Sequence, residues 1–400
     1  MKQFVPTLEK ISLQRDAMIE LVRDWSSINS GTNNSAGLKQ MISVLENSFK
    51  VLGGKITRID LPSRKKISPQ GQLIEIPTGQ ALSITKRTKD QQRQLFFGGH
   101  MDTVFDALHP FQQVERIDND TLRGPGVTDM KGGLVVMLKA LEALESSPFA
   151  GKLGWEILIN PDEEVGSVAS APLLFERAKH NHLGLIFEPA FSDGKFVSGR
   201  KGSASYTLVV KGKSAHAGRD YFSGKNAIHA LAKMIQRLSQ YNDQEKGTIL
   251  NVGNVSGGEA VNVVPDLAIC RFNLRTTTEA DLQRVETEIK QLIQAEREQG
   301  VDLTLYTDSR RGPKPFDTKT EALFNQFKDC SKELKMDIGW RDSGGVCDGN
   351  ILAEAGLTTI DTLGVVGGNI HTSEEYLRLS SLVERTQLTA LFLMRLAEGV

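Results

Sequence analysis

The chain has 400 residues, 39% of them hydrophobic, and a formal net charge of −1. This length exceeds one ordinary hydrophobic core and predicts two domains, whereas the near-zero charge gives no reason to expect nucleic acid or a membrane as a partner. Three widely spaced cysteines and the lack of an apolar signal core after Met1 argue against a secreted, disulfide-bonded protein, so we expect a cytoplasmic one.

The first part of the chain carries the pattern of an α/β domain. Residues 7–29 and 35–52 place apolar side chains at helical spacing, which predicts two amphipathic helices. Beyond them, short apolar runs alternate with helical patterns. The strand-like runs cover residues 95–97, 155–159 and 183–187, and a helical stripe covers residues 131–145. This alternation predicts a sheet covered by helices.

The pattern changes near residue 200. Strands and helices then follow the order β-α-β-β-α-β, over residues 205–210, 226–240, 248–255, 267–274, 279–298 and 301–306. This is the order of a ferredoxin-like sandwich, which needs its own core. We therefore interpret residues 200–312 as a domain inserted into a discontinuous domain formed by residues 1–199 and 313–400.

A return hinge is predicted where the inserted segment ends. Residues 310–315 read Arg-Arg-Gly-Pro-Lys-Pro, a composition typical of a linker. The first domain then resumes with a helix, a strand and a closing helix over residues 318–334, 358–362 and 379–397.

Carboxylates and histidines stand at the ends of these elements. Four positions follow an apolar run that stops at a Gly- or Pro-rich turn, and Asp129 stands at the entry to a helix. The full set is His100, Asp129, the pair Glu163-Glu164, Glu188 and His371. A strand that ends on such a residue holds it at the rim of a sheet, where α/β proteins place their sites. Two histidines and three acids match the donor set of a two-zinc hydrolytic centre.

Each position also has a simpler interpretation. His100 and Asp102 can be a polar strand end, Asp129 a helix N-cap, and residues 163–164 a solvated acidic turn. His216, in a loop of small residues, is of a type usually found at the surface. With a metal present, Asp102 can fix the tautomer of His100, and one glutamate of the pair can bind while the other takes a proton from water.

Taken in order along the whole chain, these segments resemble the M20 family of metallopeptidases and deacylases, most of all its glutamate carboxypeptidase branch. The matching segments are residues 99–104, 124–133, 162–167, 187–189 and 214–218, with His371. The resemblance implies an α/β fold: a zinc-peptidase-like catalytic domain with an inserted ferredoxin-like α+β lid and dimerisation domain.

The resemblance also implies the metal ligands. Asp129 would bridge two zinc ions, with cobalt or manganese as the alternatives. His100 and Glu188 would complete one metal site, and Glu164 and His371 the other.

Further roles follow from the same resemblance. Glu163 would be the general base, and Asp102 would orient His100. His216 would reach the active site of the partner subunit and help to hold the carbonyl oxygen of the scissile bond. Asn262 and Arg275 match lid residues that bind the terminal carboxylate of the substrate, a task that suits the planar fork of arginine.

One segment departs from the family pattern. In residues 343–350, Val346 and Cys347 interrupt a run that is frequently Gly-Gly-Thr-Asp in the family. Gly345, which would contact substrate, and Asp348 remain. The departure affects the wall of the substrate pocket, and therefore the identity of the substrate and not the class of reaction.

The sequence thus predicts a homodimeric dizinc exopeptidase or amidase that cleaves the amide bond next to a free carboxylate in a small peptide or N-acyl amino acid, and that releases a residue such as glutamate. An N-acyl amino acid deacylase of the acetylornithine-deacetylase kind is the alternative among enzymes. A catalytically silent carboxylate-binding protein is the alternative outside them, and the presence of Glu163 counts against it.

Overall fold

The computed structural model describes residues 1–88, 93–297 and 300–399. Its helices are α1 (Val5–Leu13), α2 (Arg15–Ser26), α3 (Ser35–Phe49), α4 (Gly132–Glu145), α5 (Ala171–Ala178), α6 (Ala227–Leu238), α7 (Glu279–Arg297), α8 (Thr318–Glu333), α9 (Asp348–Glu354) and α10 (Ser380–Glu398).

Its strands are β1 (Lys55–Ile59), β2 (Arg64–Ile67), β3 (Leu73–Ile76), β4 (Ala81–Lys86), β5 (Gln94–His100), β6 (Glu115–Arg116), β7 (Thr121–Arg123), β8 (Gly154–Asn160), β9 (Leu183–Ile186), β10 (Phe196–Arg200), β11 (Gly202–Lys211), β12 (Ile249–Gly257), β13 (Leu267–Thr276), β14 (Asp302–Arg311), β15 (Trp340–Ser343), β16 (Thr359–Ile360), β17 (Gly367–Gly368) and β18 (Tyr376–Arg378).

The central sheet of the described chain has the strand order β1-β4-β8-β5-β9-β16. Strands β8, β5, β9 and β16 run parallel to one another, whereas β1 and β4 are antiparallel to their neighbours. Every residue of β5 and β8 is buried, as expected for parallel strands covered on both faces. The parallel strands therefore end at one common edge.

Alternate residues of these strands face two hydrophobic layers. Phe97 and Ile157 pack into the large core formed with α1–α4, α8 and α10. Phe96 and Leu158, one residue away in each strand, pack against α5 and α9. The period of two that places side chains on opposite faces of a strand thus produces a three-layer α/β unit.

The inserted segment forms a second sheet with the order β12-β13-β11-β14, which is the ferredoxin-like arrangement. Helices α6 and α7 cover one face and share a separate hydrophobic cluster with the sheet. On the other face, Ile67 of the β2–β3 hairpin packs against Val209 and Ile269. The α/β fold with a ferredoxin-like insertion is therefore confirmed, while the boundaries 199/200 and 312/313 stay a prediction.

Some predicted elements differ in detail. The helix predicted over residues 7–29 is two helices, because Gln14 leaves the helical conformation between α1 and α2. Strand β14 continues to Arg311, so Arg310 and Arg311 belong to the strand and not to the hinge. Strands β1 and β4 were not predicted. The predicted end of α7 at residue 298 lies outside the described residues.

Two further observations concern membrane-spanning helices and cysteines. None of the helices within residues 1–88, 93–297 and 300–399 is long and apolar enough to cross a membrane. Cys270, Cys330 and Cys347 are all free and buried.

Candidate active site

The carboxyl edge of the central sheet gathers carboxylates and imidazoles around Asp129. His100 is the last residue of β5, and its Nε2 lies 3.1 Å from Asp129 Oδ1. On the other side, Nε2 of His371 lies 3.3 Å from Asp129 Oδ2. Each oxygen of this one carboxylate therefore faces a different histidine.

Two glutamates complete the two halves of this cluster. Glu188 follows β9, and its Oε2 lies 3.9 Å from His100 Nε2. Glu164 follows β8, and its Oε2 lies 3.2 Å from His371 Nε2. The five residues predicted to bind metal are thus brought together in two groups that share Asp129.

A glutamate that sequence reasoning missed holds the loop that presents Asp129. Glu375 is buried, and its carboxylate accepts backbone N–H groups from Gly126, Thr128 and Asp129 at 3.1, 2.9 and 3.0 Å. Its only sequence signal is its place four residues after His371. The same turn therefore carries His371, a predicted metal ligand, and Glu375, which holds the loop of Asp129, another predicted ligand.

Asp102 organises two segments. His100 Nδ1 lies 3.0 Å from the carbonyl oxygen of Asp102 and 3.4 Å from its Oδ1. The Asp102 carboxylate also accepts the backbone N–H groups of Glu163 and Glu164, at 3.1 and 3.2 Å. One buried aspartate thus fixes the His100 ring and the glutamate pair relative to each other.

Glu163 stands beside this cluster and has a partner that the sequence did not suggest. Its carboxylate belongs to a group with His100 and Glu188 in which one donor atom from each residue lies within 4.8 Å of the others. Its Oε1 accepts a hydrogen bond from Arg311 Nη1 at 2.7 Å. Arg311 also contacts Asp348, the acid that remains in the departing segment 343–350.

The electrostatics of the cluster fit bound cations. Burial, with the charge of Asp129 second, raises the pKa of Glu164 to about 8, and burial raises that of Glu188 well above its usual range. The Asp129 and Glu164 carboxylates raise the pKa of His371 to about 11. Oε1 of Glu188 is buried with no hydrogen-bond partner among the described residues. Such crowded acids are stabilised by a positive ion, and histidine with carboxylate is the donor set that zinc takes.

A cleft of about 660 Å³ opens over the cluster and extends to the inserted sheet. Three arginines line it. Arg200 pairs with Asp361, and Arg311 pairs with Glu163 and Asp348. The side chain of Arg275 donates hydrogen bonds to the Asn273 side chain and to the Gly344 carbonyl. Among the described residues it is the cleft arginine that makes no ion pair.

Part of the segment 343–350, which departs from the family pattern, lines this cleft. Gly345, Val346 and Cys347 are all part of its wall. The carbonyl oxygen of Gly345 accepts a hydrogen bond from Arg200 at 3.2 Å. Burial raises the pKa of the Cys347 thiol well above its usual range, which keeps the thiol neutral.

Two predicted residues lie away from the cluster. His216 and Asn262 are exposed and do not line the cleft. They lie close to each other, because the Ala217 N–H donates to the Asn262 carbonyl and His216 pairs with Val263. Within one described chain, the structure does not bring His216 or Asn262 to the site.

A cluster of two histidines and three carboxylates at the carboxyl edge of an α/β sheet, with His100, Asp129 and Glu188 buried, is characteristic of a metal-dependent hydrolase. The model of peptidase family M20/M25/M40 matches residues 96–395, and the chain belongs to this family. Its members are hydrolases that generally depend on a pair of metal ions.

Relatives within the family differ in activity. The chain is 26% identical to carboxypeptidase G2 from Pseudomonas sp. (strain RS-16), over 96% of this chain and 91% of that protein. It is 27% identical to a succinyl-diaminopimelate desuccinylase from Hahella chejuensis (strain KCTC 2396), over 78% and 84%. The fold matches the M20 family metallo-carboxypeptidase Sso-CP2 from Sulfolobus solfataricus with a TM-score of 0.75 at 16% identity, over 96% and 99%. The chain is therefore an enzyme of a class that includes peptidases and deacylases.

Proposed function

We propose that the protein is a two-metal carboxypeptidase or amidase that hydrolyses the amide bond next to a free carboxylate, with glutamate as a candidate terminal residue. One observation carries the proposal. The cluster around Asp129 opens into a cleft whose arginine without an ion pair, Arg275, faces it from the inserted sheet.

Five residues would hold the metals. Asp129 would serve both ions, with His100 and Glu188 on one side and Glu164 and His371 on the other. Zinc, or cobalt or manganese in its place, fits this mixed nitrogen and oxygen donor set. When bound, such ions polarise a carbonyl oxygen and make water more acidic.

Glu163 would move the protons. Its Oε1 is occupied by Arg311, whereas Oε2 has no hydrogen-bond partner among the described residues. That oxygen would take a proton from the attacking water while the water oxygen bonds to the amide carbon. It would then give the proton to the leaving nitrogen as the carbon–nitrogen bond breaks, yielding a carboxylate and an amine.

Arg275 would select the free carboxylate. Side chains alternate along strand β13, with Arg271, Asn273 and Arg275 half-exposed on one face and their neighbours buried. Asn273 holds Arg275 through its Nε, at 3.0 Å, and Nη1 donates to the Gly344 carbonyl, so Nη2 is the guanidinium nitrogen without a hydrogen bond among the described residues. A planar guanidinium pairs with both oxygens of a carboxylate.

Replacing Arg275 with alanine should lower kcat/KM on a carboxylate substrate by about ten- to a hundred-fold, because a charge-assisted pair contributes ~1.5–3 kcal/mol. Slow cleavage of the matching C-terminal amide should change little. Arg271→Ala is the matched control, since Arg271 shares the face but contacts Ile67 and Asn254 instead of the cleft. Equal losses on the two substrates would show that Arg275 only supports the lid.

We further propose that residues 200–312 act as a lid and carry the contact of a homodimer. The exposed position of His216 supports a role in the partner's site, since His216 lies outside its own cleft. Asn262 lies beside His216 and would accompany it. Closure of such a lid excludes water and completes a site.

Mixing two inactive variants tests this proposal. A His216→Ala chain and a Glu163→Gln chain should each be inactive alone, and activity should return once subunits exchange. The mixed dimer has one site with an intact base and an intact partner histidine. Activity that stays at the level of the unmixed variants, after exchange has been demonstrated by mass, would place His216 outside the partner's site.

The alternative function is N-acyl amino acid deacylation, which the similarity to a desuccinylase favours. Both reactions need the same cluster and a free carboxylate on the substrate. The two functions can be separated by hydrolysis rates on a panel of dipeptides with a free C-terminal carboxylate and of N-acetyl and N-succinyl amino acids. Preference for dipeptides supports the carboxypeptidase, and preference for the simple acyl groups supports the deacylase.

A further inference from the structure

Arg311 connects the last strand of the inserted sheet to the neighbourhood of Glu163. It ends β14, and successive residues of a strand point to opposite faces. Arg310 accordingly turns to the helix-covered face and pairs with Glu279 and Glu286. Arg311 turns the other way and enters the catalytic cleft, where it is only 4% exposed.

The guanidinium of Arg311 holds Glu163 at two points. Nη1 donates to the carboxylate Oε1 at 2.7 Å, and Nη2 donates to the backbone carbonyl of Glu163 at 3.2 Å. Nη2 also donates to Ser167 Oγ at 2.7 Å and lies 3.3 Å from Asp348 Oδ1. Side chain and backbone of Glu163 are therefore fixed together by one planar group.

The other partners of Arg311 are themselves fixed. Asp348 lies at the start of α9 and accepts a hydrogen bond from Asn160 Nδ2 at 2.8 Å through its second oxygen. Asn160 is the last residue of β8, the strand that leads to Glu163. Arg311 thus extends from the inserted sheet to Asp348, which is itself held by Asn160 of the central sheet.

We propose that Arg311 is a positioning residue, which sets the orientation of the Glu163 carboxylate and ties that orientation to the placement of the lid. The inference rests on the proposed role of Glu163 as the base. Holding Oε1 fixes the carboxylate beside His100 and Glu188 and leaves Oε2 without a hydrogen-bond partner among the described residues. A movement of the lid that displaces β14 then also displaces the base.

The test compares Arg311→Met with Arg310→Met, the neighbour that faces away. Each is made in the wild-type enzyme and in the Glu163→Gln enzyme, and kcat, KM, metal content and melting temperature are measured. Arg311→Met should lower kcat by roughly ten- to a hundred-fold, as a misplaced group does, with KM and metal content unchanged. Arg310→Met should leave kcat unchanged.

The Glu163→Gln background separates positioning from general support. There, Arg311→Met should cause no further loss, because the group it orients no longer takes protons. The same fractional loss in both backgrounds, or no loss in the wild type, would overturn the inference alone. Full activity of Glu163→Gln by itself would instead overturn the proposed function, and the inference with it.

Arg311→Lys keeps the test decisive if the methionine variant does not fold. Lysine retains the charge between Glu163 and Asp348 but lacks the planar fork that spans both and Ser167. If Arg311 positions Glu163, Arg311→Lys should have a lowered kcat. Guanidinium ion added to the solution should not restore kcat, because the lysine side chain fills the site. A kcat equal to that of the wild type would contradict the inference.

Discussion

Glu163→Gln should lose turnover by roughly 10²–10⁴-fold or more, the usual contribution of general acid–base transfer. The amide is nearly isosteric and still accepts a hydrogen bond from Arg311, so the fold and the metal content should remain. It cannot take a proton from water. The measurement is kcat of the metal-loaded variant, with elemental analysis of the same sample.

Glu164→Gln is the matched control for that variant. It removes a carboxylate one residue away that faces His371 and not Arg311. Metal content should fall in this variant, whereas it stays constant in Glu163→Gln. The reverse pattern would mean that the roles of the two glutamates are exchanged.

Asp129→Ala should remove both metals and reduce activity to background. One carboxylate faces both histidines, so its loss deprives both groups of a ligand at once. Elemental analysis of the purified variant gives the metal count. Replacement of a residue proposed to bind a single ion, such as Glu188→Ala, should leave more metal bound.

Asp162→Asn controls for the general effect of removing the charge of a buried aspartate near the cluster. Asp162 accepts hydrogen bonds from the Ser170 side chain and the Ala169 backbone and does not face a histidine. Burial raises its pKa, so a neutral amide should be tolerated. Full metal content in this variant with loss in Asp129→Ala would separate ligation from general stability, and equal loss in both would contradict the bridging role.

Local sequence patterns were sufficient for much of the fold. Strands β5, β8 and β9 are mostly apolar and buried, and the residue types at their ends could be recognised without knowing what surrounds them. The ferredoxin-like order followed from the same periodicities. Strand β1 was missed because it is largely exposed and carries no continuous apolar run, and β4 because Ser83 and Thr85 interrupt its apolar residues.

The support of the site was not predictable in this way. Arg311 lies 148 residues from Glu163, and Glu375 lies 246 residues from Asp129. Such contacts depend on how the two sheets and their loops are placed, which no local pattern encodes. The Gly-Pro that follows Arg311 suggested a linker, although the hydrogen bonds of β14 continue to that residue.

The departure at Val346 and Cys347 acquires a physical explanation from the same contacts. Asp348 is retained beside them, buried between Arg311, Ser167 and Asn160. Cys347 lines the cleft and caps α9, and Val346 lines the cleft. The two altered residues thus line the cleft, whereas the unaltered one supports the glutamate that we assign as the base.

Hydrolysis of one matched substrate pair, a dipeptide with a free C-terminal carboxylate and its C-terminal amide, tests the proposed function most directly. The metal-loaded wild-type enzyme should cleave the carboxylate form far faster than the amide. Chelation should abolish this cleavage, and added zinc should restore it. Equal cleavage of the two forms, or cleavage that persists in metal-free protein, would contradict a metal-dependent hydrolase that recognises a free carboxylate.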